Sequence, residues 1–163
     1  MKLFEDETLR SIRNALIKKG ETISIAESVT CGLLQFAMSN TMDTVDFFEG
    51  GITVYNPNQK FRQLNIEPTH ALAVNCVSER VAIELAQNVR TKFNSEYGVG
   101  ITGYASPVPE SDNKLFAYFA ITYQSRVLYS ARLDTEPKEG IGVQLYYVEE
   151  VLKTLAKTLQ AEL

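Results

Sequence analysis

Apolar and polar positions alternate with two different periods along the chain, and the period predicts an order of elements. From Asp6 to Lys19, Leu9, Ile12 and Leu16 form a helical stripe while Arg10, Arg13 and Lys18 face away, and Gly20 is placed to stop the helix. Thr22 to Ala26 alternates as a half-buried strand does. The chain then turns at Glu27-Ser28, and Leu33, Leu34, Ala37 and Met38 return to helical spacing. Asn40 to Asp46 is polar and reads as a loop. Phe47 to Gly51 introduces a second strand, Ile52 to Tyr55, closed by the turn Asn56-Pro57-Asn58. Gln59 to Leu64 is one or two helical turns, and Glu67 to Cys76 reads as loop.

Ser78 is a favoured N-cap for the next helix. There Val81, Leu85 and Val89 recur every four residues, and Ala82 and Ala86 permit close packing, to an end near Phe93-Asn94. Tyr97 to Gly103 reads as a buried strand whose glycines admit another backbone. Tyr104 to Lys114, with its prolines and short polar residues, is irregular. Leu115 to Thr122 and Val127 to Leu133 make a hairpin. Asp134 to Gly142 is a charged loop. Val143 to Leu159 is a final helix with Val148, Val151, Leu152, Leu155 and Leu159 on its apolar face. Strands mixed with helices imply an α/β protein, a three-layer α/β/α sandwich with a mixed sheet, in one domain spanning 1–163.

Composition narrows the function classes. The 163 residues suffice for a core without staples, and 45% hydrophobic with 22% charged residues is an ordinary globular balance. A net charge of −4 argues against nucleic acid as a partner, which needs a basic face. No apolar run approaches the roughly 18 residues of a membrane span. The start, MKLFEDETLR, is acidic and lacks an apolar signal core, so a cytoplasmic location is expected. Cys31 and Cys76 have neither metal-ligand nor disulfide-scaffold spacing. His70 is the only histidine, in a stretch read as loop with no partner legible, and a site built on two histidines is excluded.

The stretch ETISIAESVTCGLLQF, from Glu21 to Phe36, carries the best candidate chemistry. A strand running into a helix leaves the first helical N–H groups without backbone partners and gathers positive potential there. Ser28 and Thr30 sit at that junction with Gly32 behind them. Ser28 there is either a helix cap or a hydroxyl nucleophile beside an anion site. Three loops follow strands and would meet at one end of the sheet: Glu27 to Gly32, Tyr55 to Lys60, and Thr102 to Pro107. A serine beside a neutral, desolvated lysine is a workable nucleophile and base without histidine. Taken singly, Lys60 also fits a solvated surface lysine, Tyr55 a core-packing aromatic and Thr102 a plain strand residue.

Four segments in order resemble the CinA family, in its C-terminal domain. IAESVTCGLL is similar to that family's AES-x-T-G-G signature, and GGITVYNPNQKFRQL to its G-x-V-x-Y-x-N-x-x-K segment. VSERVAIELAQNVR resembles its GAVSE helix, and GVGITGYASP stands where the family has a G-I-A-G-P strand and loop. The resemblance runs from about Leu9 to Leu159. It implies an amidohydrolase of the nicotinamide-nucleotide type, which converts the carboxamide of nicotinamide mononucleotide, or a related small amide, to the acid and ammonia. It further implies Ser28 as nucleophile, Lys60 as general base and Tyr55 orienting the pair. Glu27, Thr30, Gly32, Thr102 and Gly103 are the implied substrate-binding positions. No metal or cofactor is implied. The implied partner is a small nucleotide-like substrate, with no membrane, in a homo-oligomer.

Some positions depart from the family pattern. Cys31-Gly32 stands for paired glycines, Tyr104 to Pro109 replaces a glycine-rich loop, and Gly140 to Val143 carries no positive charge. A non-catalytic module binding a small ligand or a partner is the second reading the sequence leaves open.

Overall fold

A computed structural model describes residues 2–163. The elements follow in the order α1 (Asp6–Lys19), β1 (Ile23–Glu27), α2 (Leu33–Ser39), a 3-10 turn (Thr44–Asp46), β2 (Phe48–Thr53) and α3 (Pro57–Leu64). Then come α4 (Pro68–Ala73), α5 (Glu79–Phe93), β3 (Tyr97–Gly103), a second 3-10 turn (Pro109–Ser111), β4 (Leu115–Tyr123), β5 (Arg126–Thr135) and α6 (Gly142–Ala161). The five strands lie in the order β2-β1-β3-β4-β5. β1 runs parallel to both β2 and β3, while β3, β4 and β5 are antiparallel. The sheet is mixed, as the helix-linked first half and hairpin-linked second half require.

One face of the sheet packs on α1, α2 and α6. There Leu9, Ile12 and Leu16 meet Tyr147, Val148, Val151 and Leu155 over Ile25, Val99 and Phe119. The other face packs on α5, whose Val81, Leu85 and Val89 join Leu64 and Ile66 from the α3 region. Both layers are present, so the α/β/α sandwich stands. The glycines of β3 explain how close α5 comes. A Cβ built on Gly98 would lie 2.0 Å from the Ala86 carbonyl oxygen, and one on Gly100 would lie 2.5 Å from that of Ala82. Only hydrogen at these two positions lets a helix backbone ride on the strand.

The element boundaries differ from expectation in three places. The second strand is Phe48–Thr53, earlier than Ile52 to Tyr55, because Gly50 and Gly51 pair with Ser24 and Ile25. The segment read as loop before Cys76 contains α4, whose first turn is closed by the Glu67 carboxylate accepting from the amides of Thr69 and His70. The helix after β1 starts only at Leu33, so Ser28 lies in an intervening turn. No helix of the described residues is long and apolar enough to cross a membrane.

Candidate active site

The parallel strand β1 is wholly buried and delivers its C-terminal end to the edge of a cleft. At that end Glu27 points back under the following turn. Its Oε2 accepts from the Thr30 hydroxyl at 2.5 Å, the Leu34 amide at 3.0 Å and the Gly32 amide at 3.1 Å. Its Oε1 accepts from the Gln35 amide at 2.8 Å. The start of α2 is therefore capped by the chain's own carboxylate. Glu27, Thr30 and Gly32, expected at the substrate, lie behind Ser28 and bond one another. With those amides occupied, the helix mouth cannot also hold a substrate anion.

Ser28 follows, only 6% exposed. The turn holding it is tight, with Cys31 at φ 47° and Gly32 at φ 97°. Two carbonyls of the turn are tied down. Ser28 O accepts from the Cys31 amide at 3.1 Å, and Val29 O accepts from Gln144 Nε2 of α6 at 2.9 Å. Because each peptide is planar, these bonds also set the directions of the Val29 and Thr30 N–H groups. Neither amide has an acceptor among the described residues.

Lys60 reaches Ser28 from the opposite wall. Asn56 caps α3 by accepting from the Gln59 amide at 3.0 Å, and Pro57 presets its first turn. That places Lys60 on the inward face, 2% exposed. Its Nζ lies 3.0 Å from Ser28 Oγ, 3.0 Å from Val54 O and 3.3 Å from Tyr55 O. Burial pulls the amine below its ordinary value, with a small opposing effect from the neighbouring Cys76. A neutral amine has two N–H groups and one lone pair. As an ammonium, Nζ donates to all three oxygens; once deprotonated, the two donors kept by the Val54 and Tyr55 carbonyls would leave its lone pair facing Ser28 Oγ. Tyr55, expected to orient the pair, meets Lys60 Nζ only through its backbone oxygen, while its side chain stands 69% exposed and lines the cleft.

The cleft encloses about 250 Å³, and Ser28, Lys60, Tyr55, Thr102 and Gly103 all line it. The three loops expected to converge do so. Thr102 is also a structural tie, its hydroxyl donating to Cys76 O at 2.7 Å. The segment Asn75-Cys76-Val77 forms a further wall that sequence patterning missed. Asn75 and Cys76 both have positive φ, at 51° and 59°. An asparagine after a short helix was the only hint, since asparagine tolerates that region better than most residues. Burial pushes the Cys76 thiol up, so it stays protonated at neutral pH. Tyr147 was also missed as a support. Its hydroxyl donates to Tyr104 O at 2.8 Å and ties down the start of the loop that lines the cleft after β3. His70 sits on α4, its Nε2 2.8 Å from the Ser78 hydroxyl that caps α5, away from the cleft lining. Among the described residues, no three His, Cys, Asp or Glu side chains are grouped to hold a metal ion.

Comparison with known proteins follows the same outline. The profile of the CinA C-terminal domain matches residues 5–159. A putative competence-damage inducible protein of Moorella thermoacetica is 32% identical over 161 residues, covering 97% of this chain and 38% of that protein. One from Natranaerobius thermophilus is 34% identical over 144 residues, covering 86% of this chain and 35% of that protein. The chain thus spans about 38% or less of the length of these two relatives. Among solved structures, a competence-damaged protein (CinA) superfamily protein from Enterobacter cloacae superposes with a TM-score of 0.89 at 25% identity, covering 98% of this chain and 94% of that one. A CinA superfamily protein from Klebsiella pneumoniae shares the fold, with a TM-score of 0.89 at 22% identity and 99% coverage of both chains.

Proposed function

The chain belongs to the CinA C-terminal domain family, and from that membership and the Ser28–Lys60 geometry we propose that it is an amidohydrolase acting on a small carboxamide. The family resemblance puts nicotinamide mononucleotide, or a related small amide, first among substrates to test. The observation that carries the reading is a buried lysine 3.0 Å from a buried serine hydroxyl, with two carbonyls taking up its remaining donors.

The chemistry runs in two halves. Lys60 Nζ accepts the Ser28 proton as Oγ attacks the carboxamide carbon. The negative charge collecting on the carbonyl oxygen is met by the Val29 amide, the residue after the nucleophile, which lines the cleft and has no acceptor among the described residues. The Lys60 ammonium returns the proton to the leaving nitrogen, the C–N bond breaks and ammonia departs. A water then gives a proton to Lys60 and attacks the acyl-serine. Oγ takes that proton back, and the acid is released. This route needs no metal or cofactor, and such an enzyme would act in the cytoplasm, with a small molecule as its partner and a homo-oligomer as its assembly.

Ammonia release from nicotinamide mononucleotide and simpler carboxamides, compared across wild type, Ser28→Ala and Lys60→Ala, tests the assignment. Each substitution should lower kcat by at least about 100-fold, and the double variant should lose little more, because the two groups act as a unit. Equal rates in all the proteins would remove both roles. Thermal stabilisation by an amide without turnover would favour a non-catalytic binding module instead.

A further inference from the structure

The charge inventory of the cleft narrows the substrate. Among the described residues, Lys60 is the only basic one in its lining, and no acidic residue or histidine joins it. The Lys60 contacts are all spoken for, by Val54 O, Tyr55 O and Ser28 Oγ. The Thr102 hydroxyl is spent on Cys76 O. The helix mouth behind Ser28 is filled by Glu27. What faces a ligand is uncharged, part apolar and part polar: Val29, Val77, Ala105 and Val108, the Tyr55 and Tyr104 rings, and Ser106. Asn75 supplies polarity, its Nδ2 donating to Tyr104 Oη at 3.1 Å while its Oδ1 has no partner among the described residues. At about 250 Å³ the cleft falls just under the roughly 300–1,000 Å³ of pockets that enclose drug-sized ligands.

We infer that the cleft selects small amides that carry no anionic group. This deepens the hydrolytic reading of the same site, moves the uncharged amides ahead of nicotinamide mononucleotide as its substrates, and rests on that reading for turnover, though not for binding. A phosphate or carboxylate drawn into the cleft meets no free cationic side chain among the described residues, only the Val29 amide, and regains less than the hydration it gives up. It also stabilises the ammonium form of Lys60, removing the lone pair that Ser28 needs. The carboxamide carries donors and an acceptor but no charge, and suits Asn75 Oδ1 and the Val29 amide.

Matched amides that differ by one anionic group test this: nicotinamide riboside against nicotinamide mononucleotide, propionamide against succinamate, and benzamide against 4-carbamoylbenzoate. Calorimetry on Ser28→Ala measures Kd, and ammonia release by the wild-type chain measures kcat/KM. In at least two of the three pairs the member without the anion should be favoured at least about tenfold in Kd, the sort of discrimination an unpaired group imposes. Preference for the anionic member, equal affinity, or no measurable binding of any member without the anion overturns the inference. Selective binding without ammonia release would instead remove the hydrolytic reading and leave the selectivity standing.

Discussion

Replacing Glu27 by Gln removes one atom's worth of charge from the most connected polar group near the cleft. The carboxylate is fully buried and accepts four hydrogen bonds, three on Oε2 and one on Oε1. A glutamine keeps one acceptor. With its oxygen where Oε2 stood, it still serves Thr30, Gly32 and Leu34, but its NH2 then points at the Gln35 amide from 2.8 Å, donor against donor. The lost charge-assisted bond costs about 1.5–3 kcal/mol, and the three remaining bonds weaken as their acceptor becomes neutral. The expected loss is about 3–5 kcal/mol in urea unfolding followed by circular dichroism. For a chain of this size that lowers Tm by roughly 6–20 °C. Because Ser28 is the next residue, kcat should fall too, by at least about tenfold. A Glu27→Gln protein within about 1 kcal/mol of wild type, with unchanged kcat, would refute the assignment of Glu27 as the cap that shapes the Ser28 turn.

Further outcomes follow from the same geometry. Lys60 must be neutral to accept a proton, so kcat should fall as pH drops through its depressed pKa and level off above it, below the ordinary 10.5; a rate independent of pH from 6 up to that value would contradict this. The same depression makes the unfolded chain bind more protons between the folded value and 10.5, so stability should rise with pH across that window. Lys60→Met should flatten this component in paired denaturation curves, and an unchanged difference between the two proteins would count against it. Gly98→Ala drives a methyl into the Ala86 carbonyl at 2.0 Å and should cost about 3 kcal/mol or more by chemical denaturation; a loss under 1 kcal/mol would mean that α5 is free to move. Tyr147→Phe gives up the bond to Tyr104 O, about 0.5–1.5 kcal/mol, and should raise KM more than it lowers kcat, since that loop lines the cleft without touching Ser28 or Lys60 through a hydrogen bond. Gln144→Leu strands the Val29 carbonyl and should instead lower kcat with KM little changed, and the reverse pattern would show that the Val29–Thr30 peptide plane is not what Gln144 holds.

Long elements were legible because their burial is one-sided and repeated. The stripe Leu9, Ile12 and Leu16 and the apolar face of α6 are buried as their spacing requires. β2 was misplaced because Phe48-Glu49-Gly50-Gly51 lacks alternation. Its glycines pack by having no side chain: a Cβ on Gly51 would sit 2.5 Å from Ile25 O. α4 was missed because six residues show no period, and its stability comes from Glu67 at its start. The Ser28–Lys60–Tyr55 grouping was readable as three strand-end loops plus a family likeness, whereas the wall at Asn75–Val77 depends on two successive left-handed residues, of which Asn75 is a weak signal and Cys76 none.

By itself, the sequence indicated the layered α/β class, the family likeness, and a candidate hydroxyl just after the first strand and amine just beyond the turn after the second, because hydrophobic period and motif order are local, one-dimensional properties. Only the tertiary structure decided that Glu27 faces the Thr30 hydroxyl and the Gly32, Leu34 and Gln35 amides and not a ligand, that the inward turn of α3 buries Lys60 against Ser28, and that no second cationic side chain among the described residues lines the cleft. Those outcomes depend on distances between residues tens of positions apart, and on which of several competing partners each polar group reaches once water is excluded.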